Sequence, residues 1–360
     1  LPASIRLSRA PPWEKIVLAR LIDWAETGRL PDALVRLGVR RMVDGRARRA
    51  EAEGAAAHER FVAGLADAPI ALHADDANVQ HYEVPADFFR AVLGPRLKYS
   101  GCWYDRPDAT LREAEEAMLA RTVERAGLAD GMRVLDLGCG WGSLSLWIAE
   151  RFPRCEITAV SNSKLQRESI LADARARGLD PFRVETADVN VYAPEGRFDR
   201  VVSVEMVEHV RNWPRLLGRV ASWLEPEGRA FVHHFCHREF AYPYEIEGDG
   251  DWMARHFFTG GMMPSADLLS RFDRDLEVVE RWDVDGTHYA RTSEDWLRNL
   301  DAARDALEGV LRPVHGPETA RALGRWRLFF MGCAELFAHD RGRTWGVTHQ
   351  LLAPRSDARR

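Results

Sequence analysis

Residues 134–146 read VLDLGCGWGSLSL. An apolar, β-branched run breaks at three glycines in alternate positions, Gly138, Gly140 and Gly142, and an apolar stretch with helical spacing follows. The pattern predicts a strand, a tight turn and a helix start, with glycines that let the backbone bend and approach a ligand with no Cβ in the way. Nicotinamide and flavin proteins also carry a glycine turn here, spaced G-x-G-x-x-G. In this chain the spacing is G-x-G-x-G, with Asp136 inside the strand. An acid so close to the turn repels a phosphate and suits an ammonium group.

Further short β-branched runs lie on either side: EITAVS (156–161), FRVETAD (182–188), FDRVVSVEM (198–206) and RAFVHHF (229–235). Helical stretches such as SLSLWIAERF and KLQRESILADARARG separate them. Strands alternating with helices predict a parallel sheet with helices on both faces. LEVVERWDV (276–284) and TWGVTHQLLA (344–353) read as the last two strands of an α/β, Rossmann-like, mostly parallel seven-stranded sheet. From Trp13 to about Asp67 the apolar spacing is helical, and RRMVDGRARRAEAEGAAAHERF within it reads as a solvated helix or a loosely packed arm. Aromatic-rich segments at about 240–270 and 293–340 read as a helical lid. The expected division is a helical arm (1–75), a cap segment touching both ligands (76–130), the Rossmann core (131–236), and a helical substrate cap with the last strands (237–360).

The carboxyl ends of the first three strands carry the next signals. A dinucleotide site places an acid about 20 residues past the turn to hold a ribose. Here the residues are Ser161, Asn162 and Gln166, which still donate and accept to a diol. After the third strand, Asp188 suits an adenine amino group and Val189 its ring. Together these describe an adenosyl pocket.

Composition narrows the partners. The chain has 360 residues, 46% of them hydrophobic, and a formal charge of −5, a balance opposed to a nucleic-acid surface. Lysines occur only at 15, 98 and 164. No apolar run reaches the roughly 20 residues of a membrane span, and the start, LPASIRLSRAPPWEK, has no signal-peptide core. Five scattered cysteines lack metal spacing and predict a reducing cytoplasm. HHFCH (233–237) alternates faces in a strand, so no metal is expected there.

NVQHYEVPADFFRAVLGPRLKYSGCWY (78–104), VLDLGCGWGSLSLWIA, SNSKLQ, SVEMVEHV, FVHHFCH, FFTGGMMPS (257–265), GTHYARTSEDWL (286–297) and WRLFFMGCAELF (326–337) occur in that order. The set resembles the cyclopropane-fatty-acid synthase superfamily of S-adenosylmethionine-dependent methyltransferases, nearest the coclaurine N-methyltransferase branch and its bacterial relatives. The resemblance spans about Trp13 to Pro354 and implies a class I methyltransferase fold. It implies that Tyr99 and Ser100 close over the cofactor, and that Gly138, Asn162, Gln166, Asp188 and Val189 bind it, beside Asp136 and Gly140. It also implies that Glu205, Glu208 and His209 are the catalytic acid, acid and histidine. Cyclopropane synthases carry YSC, whose cysteine helps hold a bicarbonate. Here that position is Gly101, with the cysteine one place on at Cys102, although His233 and Tyr289 match other bicarbonate-site positions.

Glu205, Glu208 and His209, at i, i+3 and i+4, are expected to share a helical face looking at the methyl group. A small amine is the leading acceptor, with His209 as base, Glu208 orienting it and Glu205 anchoring the cation. The alternatives are C-methylation or cyclopropanation of an unsaturated acyl chain, and a binding protein without catalysis. Phe257, Phe258, Trp326 and Phe330, with Phe329 beside them, are expected to offer π-faces to the cation, with Tyr82, His233 and Tyr289 also at the substrate. The arm is a candidate dimerisation element, and no stable membrane anchoring is expected.

Overall fold

The computed structural model describes residues 12–71, 84–179, 182–246 and 251–355. In chain order the helices are α1 (Pro12–Glu26), α2 (Asp32–Gly64), α3 (Ala86–Val92), α4 (Leu111–Arg125), α5 (Ser143–Arg151), α6 (Lys164–Ala176), α7 (Trp213–Trp223), α8 (Trp252–His256), α9 (Gly286–Ala302), α10 (Arg304–His315) and α11 (Thr319–Ala338). The strands are β1 (Arg133–Leu137), β2 (Glu156–Ser161), β3 (Arg183–Thr186), β4 (Phe198–Val204), β5 (Leu224–His237), β6 (Tyr242–Pro243), β7 (Met262–Met263), β8 (Leu276–Val284) and β9 (Trp345–Pro354).

Seven strands form one sheet in the order β3-β2-β1-β4-β5-β9-β8. β1 to β5 run parallel, and β9 lies antiparallel between β5 and β8. The strand order reverses between β1 and β4, so a crevice opens beyond their carboxyl ends, where open α/β sheets bind ligands. Val134, Leu135, Val202 and Phe231 are fully buried because helices cover both faces of the sheet. Ser163, Asn212 and Asp285 cap α6, α7 and α9, each side chain accepting from a backbone N–H in the first turn.

Above the carboxyl ends sits a second, aromatic-rich core built from α3, α9 and α11, including Phe88, Phe89, Trp296, Trp326 and Phe330. The lid expected at 293–340 is helical. The segment at 240–270 is not: it holds the two-residue strands β6 and β7 and the five-residue α8. Pro243, Gly260, Gly261 and Pro264 interrupt any helical pattern at both ends of it. The charged stretch expected to be solvated lies within α2 but buries Val43, Ala47, Ala50 and His58. α1 docks on α11 so closely that a Cβ at Gly324 would lie 1.7 Å from the Glu26 carbonyl oxygen. The Glu26 carboxylate accepts from Trp252 Nε1 at 2.8 Å and from Arg321 at 3.0 Å, which ties the arm to α8.

Candidate active site

Two cavities meet at the carboxyl ends of β1 and β4 and share Gly138, Gly140, Gln166, Glu205 and His209. The first also holds Tyr99, Ser100, Asp136, Trp141, Phe258, Tyr289, Trp296 and Phe329. Asn162, Asp188, Val189 and Met206 line the second.

The glycine turn shapes the floor of both. Gly138 has φ 84°, and a Cβ there would lie 2.5 Å from Met206 Cγ. Asp136 is buried at the end of β1 and accepts from Ser145 Oγ; burial pushes its carboxyl up to about 6. Gln166 accepts from Ser161 Oγ at 2.5 Å, while its buried Nε2 has no partner among the described residues. Asp188 is exposed at the rim and holds its own turn through the Asn190 N–H at 2.8 Å.

These features fit S-adenosylmethionine. An amide donor left unmet in a buried wall needs a polar ligand, the Gly138 cradle admits a close approach, and Asp136 offers a carboxyl to an amino group. A class I S-adenosylmethionine-dependent methyltransferase is the class defined by this fold and pocket.

Residues 72–345 match the family of mycolic acid cyclopropane synthetase, and the chain belongs to that family. It is 34% identical to the (S)-coclaurine N-methyltransferase of Thalictrum flavum subsp. glaucum over 348 residues, 94% of this chain and 96% of the relative. The Escherichia coli (strain K12) cyclopropane-fatty-acyl-phospholipid synthase is 30% identical over 228 residues, 62% of this chain and 56% of that protein. A crystal structure of coclaurine N-methyltransferase bound to N-methylheliamine and SAH superposes with a TM-score of 0.90 at 33% identity, covering 94% of this chain and 99% of that one. The resemblance read from the motifs is thereby met at the level of family and fold.

The three ionisable residues after β4 are arranged differently from the expected helical face. Glu205 N donates to the His233 carbonyl at 2.8 Å, extending the β4–β5 ladder by one residue. The backbone then turns left-handed at Glu205 (φ 47°), and the 3₁₀ turn begins only at Val207. Glu205 and His209 therefore face the cavities, while Glu208 turns back toward β5 and is fully buried. A non-glycine residue at this φ costs of order 1–3 kcal/mol, a strain typical of functional sites.

Glu205 is bonded through both carboxyl oxygens. Its Oε1 accepts from Gly101 N–H at 2.8 Å and faces His233 Nε2 at 3.1 Å, and its Oε2 accepts from the Tyr289 hydroxyl at 2.6 Å. Burial raises its carboxyl above the ordinary range, against the pull of Lys98 and of the Tyr289 and Gly101 donors. Glu208 Oε1 accepts from Phe235 N–H at 2.8 Å; burial, and after it the charge of Glu205, hold its carboxyl well above the usual range. Two buried acids this close do not both ionise. Of the two, Glu208 is pushed further toward its protonated form. His209 packs face to face with Phe258, ring centroids 5.6 Å apart at 9°.

Among the expected substrate residues, Phe258 and Tyr289 line the first cavity. His233 is fully buried behind Glu205 and reaches the cavities only through it. Trp326 and Phe330 pack into the core; Phe329 is the residue of that helix at the cavity wall, with Phe257 stacked 4.2 Å behind it. Tyr82 lies outside the described residues.

Motif reading missed Lys98, Trp141 and Trp296, all of which line the first cavity. Lys98 is 3% exposed, and its Nζ donates to Ser100 Oγ at 2.5 Å and to the Gly101 carbonyl at 2.7 Å. Burial lowers its pKa. Its one sequence signal was rarity, since arginine serves almost everywhere else in this chain as the cation. Among the described residues, no side-chain cluster is arranged to hold a metal ion, and no helix is long and apolar enough to cross a membrane.

Proposed function

We propose that this chain methylates the nitrogen of a small amine, tetrahydroisoquinoline-like in shape, at the wall shared by the two cavities. The observation that carries the reading is the Glu205 carboxyl, set between aromatic walls and bonded by Gly101, Tyr289 and His233. An amine arrives as an ammonium, since its pKa resembles that of lysine, about 10.4. Glu205 anchors that cation, and Phe258 and Phe329 offer it π-faces. His209 takes the proton, which frees the nitrogen lone pair. Glu208, buried behind the turn, fixes Phe235 through its N–H, and Phe235 packs on Phe258, the ring stacked against His209. When bound, S-adenosylmethionine supplies a methyl carbon activated by a sulfonium. Tyr99, Ser100, Asp136, Gly138 and Gly140 hold its methionyl end, and Asn162, Gln166, Asp188 and Val189 hold its adenosyl end. His209 and Glu205 would orient that lone pair for an in-line transfer from the bound cofactor.

The relatives named above support nitrogen as acceptor, and so does the local chemistry. A bicarbonate at the position that the lipid branch uses would meet the carboxylate of Glu205, already seated on the donors of Gly101, Tyr289 and His233. Reaction on an unsaturated acyl chain remains the second reading, favoured by His233 and Tyr289 occupying their expected places in sequence. The same reading keeps 1–75 as an arm that docks a second copy, 76–130 as a cap segment, 131–236 as the core and 237–360 as the substrate cap, in a cytoplasmic protein.

The test is S-adenosylhomocysteine release with a matched panel of tetrahydroisoquinoline amines and unsaturated phospholipids, products identified by mass. Turnover on amines alone is the expected result. Turnover on lipid alone overturns it.

A further inference from the structure

Behind Glu205, on the side away from the cavities, two histidines face each other across the sheet. His233 on β5 pairs in register with His349 on β9. Both are fully buried, with ring centroids 4.5 Å apart. Arg125, the last residue of α4, places Nη1 2.8 Å from His349 Nδ1.

Those contacts dictate where the protons sit. A guanidinium only donates, so Nδ1 of His349 carries the lone pair and its Nε2 carries the hydrogen. At the other end, His233 Nε2 faces Glu205 Oε1, an oxygen already accepting from Gly101. Nε2 is therefore the protonated nitrogen of His233 and Nδ1 holds its lone pair. The two remaining nitrogens, His349 Nε2 and His233 Nδ1, have no partner among the described residues, and they are complementary: one an N–H, the other a lone pair.

Charge works in the same direction. Lys98 and Arg125 bracket the two rings, and a third cation between them, out of water, is strongly disfavoured. Burial first pushes both imidazoles well below the ordinary histidine range; Lys98, His234 and Arg125 add to it at His233, and His233 itself, then Arg125, Lys98 and His234, at His349. Around Lys98 and Glu205, the ionisable groups that share this buried electrostatic setting include Cys102 in the segment before α4, Glu115 on α4, Glu208 after β4, Tyr289 on α9 and Cys333 on α11. Arg125 is itself flanked by Arg121 and Glu124 and lies over the rings of Trp103 and Trp282.

We propose that Arg125 and His349 are positioning residues of the methyl-transfer centre, holding His233 as a neutral Nε2–H donor so that Glu205 keeps its full negative charge for the incoming ammonium. An imidazolium at His233 would pair with Glu205, and the substrate cation would have to displace it. With a neutral imidazole, Glu205 is oriented without being neutralised. The purpose assigned to the device rests on the amine reading; the tautomers do not.

Long-range ¹H–¹⁵N imidazole spectra of the full-length, ¹⁵N-labelled chain between pH 5 and 8 test the arrangement directly. The expected result is that His233 and His349 both stay neutral with Nε2–H, that Arg125→Met lets His349 mix tautomers and His233 begin to titrate, and that Arg125→Lys restores the native pattern. In the same proteins Arg125→Met should raise KM for the amine about tenfold at pH 6 relative to pH 8, one pKa unit's worth, with kcat and S-adenosylhomocysteine affinity little changed. His349→Phe, a buried ring of similar shape, should reproduce the KM effect if Arg125→Met fails to fold. Native His233 carrying Nδ1–H or a charge overturns the proposal, as does a KM ratio that none of these variants alters. Absence of amine turnover in the native protein overturns only the amine reading and leaves the spectra decisive.

Discussion

Tyr289 on α9 donates its hydroxyl to Glu205 Oε2 at 2.6 Å, joining the cap to the end of β4. The bond favours the ionised carboxyl. Burial already holds Glu205 above the ordinary range, so removing the hydroxyl moves its pKa further up, and the carboxylate is lost at a higher pH. Tyr289→Phe should therefore shift the acid limb of kcat/KM toward neutral pH. A hydrogen bond to a charged group contributes about 1.5–3 kcal/mol, roughly one to two pH units. A pH–rate profile that keeps its native acid limb contradicts this.

Glu205→Gln keeps an acceptor for Gly101 and removes the charge. On the amine reading kcat/KM should fall on the order of 10²-fold, the usual cost of truncating one partner of a buried charge pair, about 2–5 kcal/mol. Affinity for S-adenosylhomocysteine, measured by calorimetry, should change little.

His209 and Glu208 are adjacent in sequence and unequal in role. His209→Ala removes the proposed base and should lower kcat by 10² or more. Glu208→Gln substitutes an isostere for an acid that burial and the Glu205 charge push toward its protonated form, preserves the Phe235 bond and should cost far less. Equal losses in the two variants, read from single-turnover rates, would argue that Glu208 exchanges a proton during the reaction.

Gly138→Ala places a methyl group against Met206 at a left-handed φ. The strain should cost about 1–3 kcal/mol of stability. Displacement of Met206 into the second cavity should also weaken S-adenosylhomocysteine binding at least tenfold. Thermal melts with and without the ligand separate the two effects.

Gly324→Ala meets the Glu26 backbone, which has no freedom to yield. α1 should lift from α11 while the sheet stays intact. Because Glu26 also bonds Trp252, the segment carrying Phe257 and Phe258 loses an anchor, and KM for substrate should rise. Limited proteolysis before residue 27 should quicken in this variant and not in the native chain.

The sheet was readable because β-branched runs such as LEVVERWDV (276–284) coincide with β8, and the glycine turn could be only a strand-to-helix junction. The face presented by EMVEH was not, since helical periodicity assumes a helix and Glu205 stands in a left-handed conformation just before one. WRLFFM carries Trp326, Leu328, Phe329, Phe330 and Met331 around a single charged position, Arg327, so spacing alone does not say that Phe329, rather than Trp326 or Phe330, reaches the cavity. His349 reaches the centre through Arg125 and His233, both far from it in the chain, and no local pattern encodes those contacts.

β9 is the last strand in chain order, yet it lies inside the sheet, between β5 and β8. During synthesis, β8 emerges with no neighbour to join, and the exposed edge of β5 stays open until residues 345–354 have been made. An open edge invites pairing with other chains. The same ten residues bring His349 to His233, so ordering of the centre and closure of the sheet are one event. A nascent chain stalled before Trp345 would expose β5 as a sticky edge and leave Glu205 without its full setting, which makes the arrival of residues 345–354 the checkpoint for both aggregation and activity.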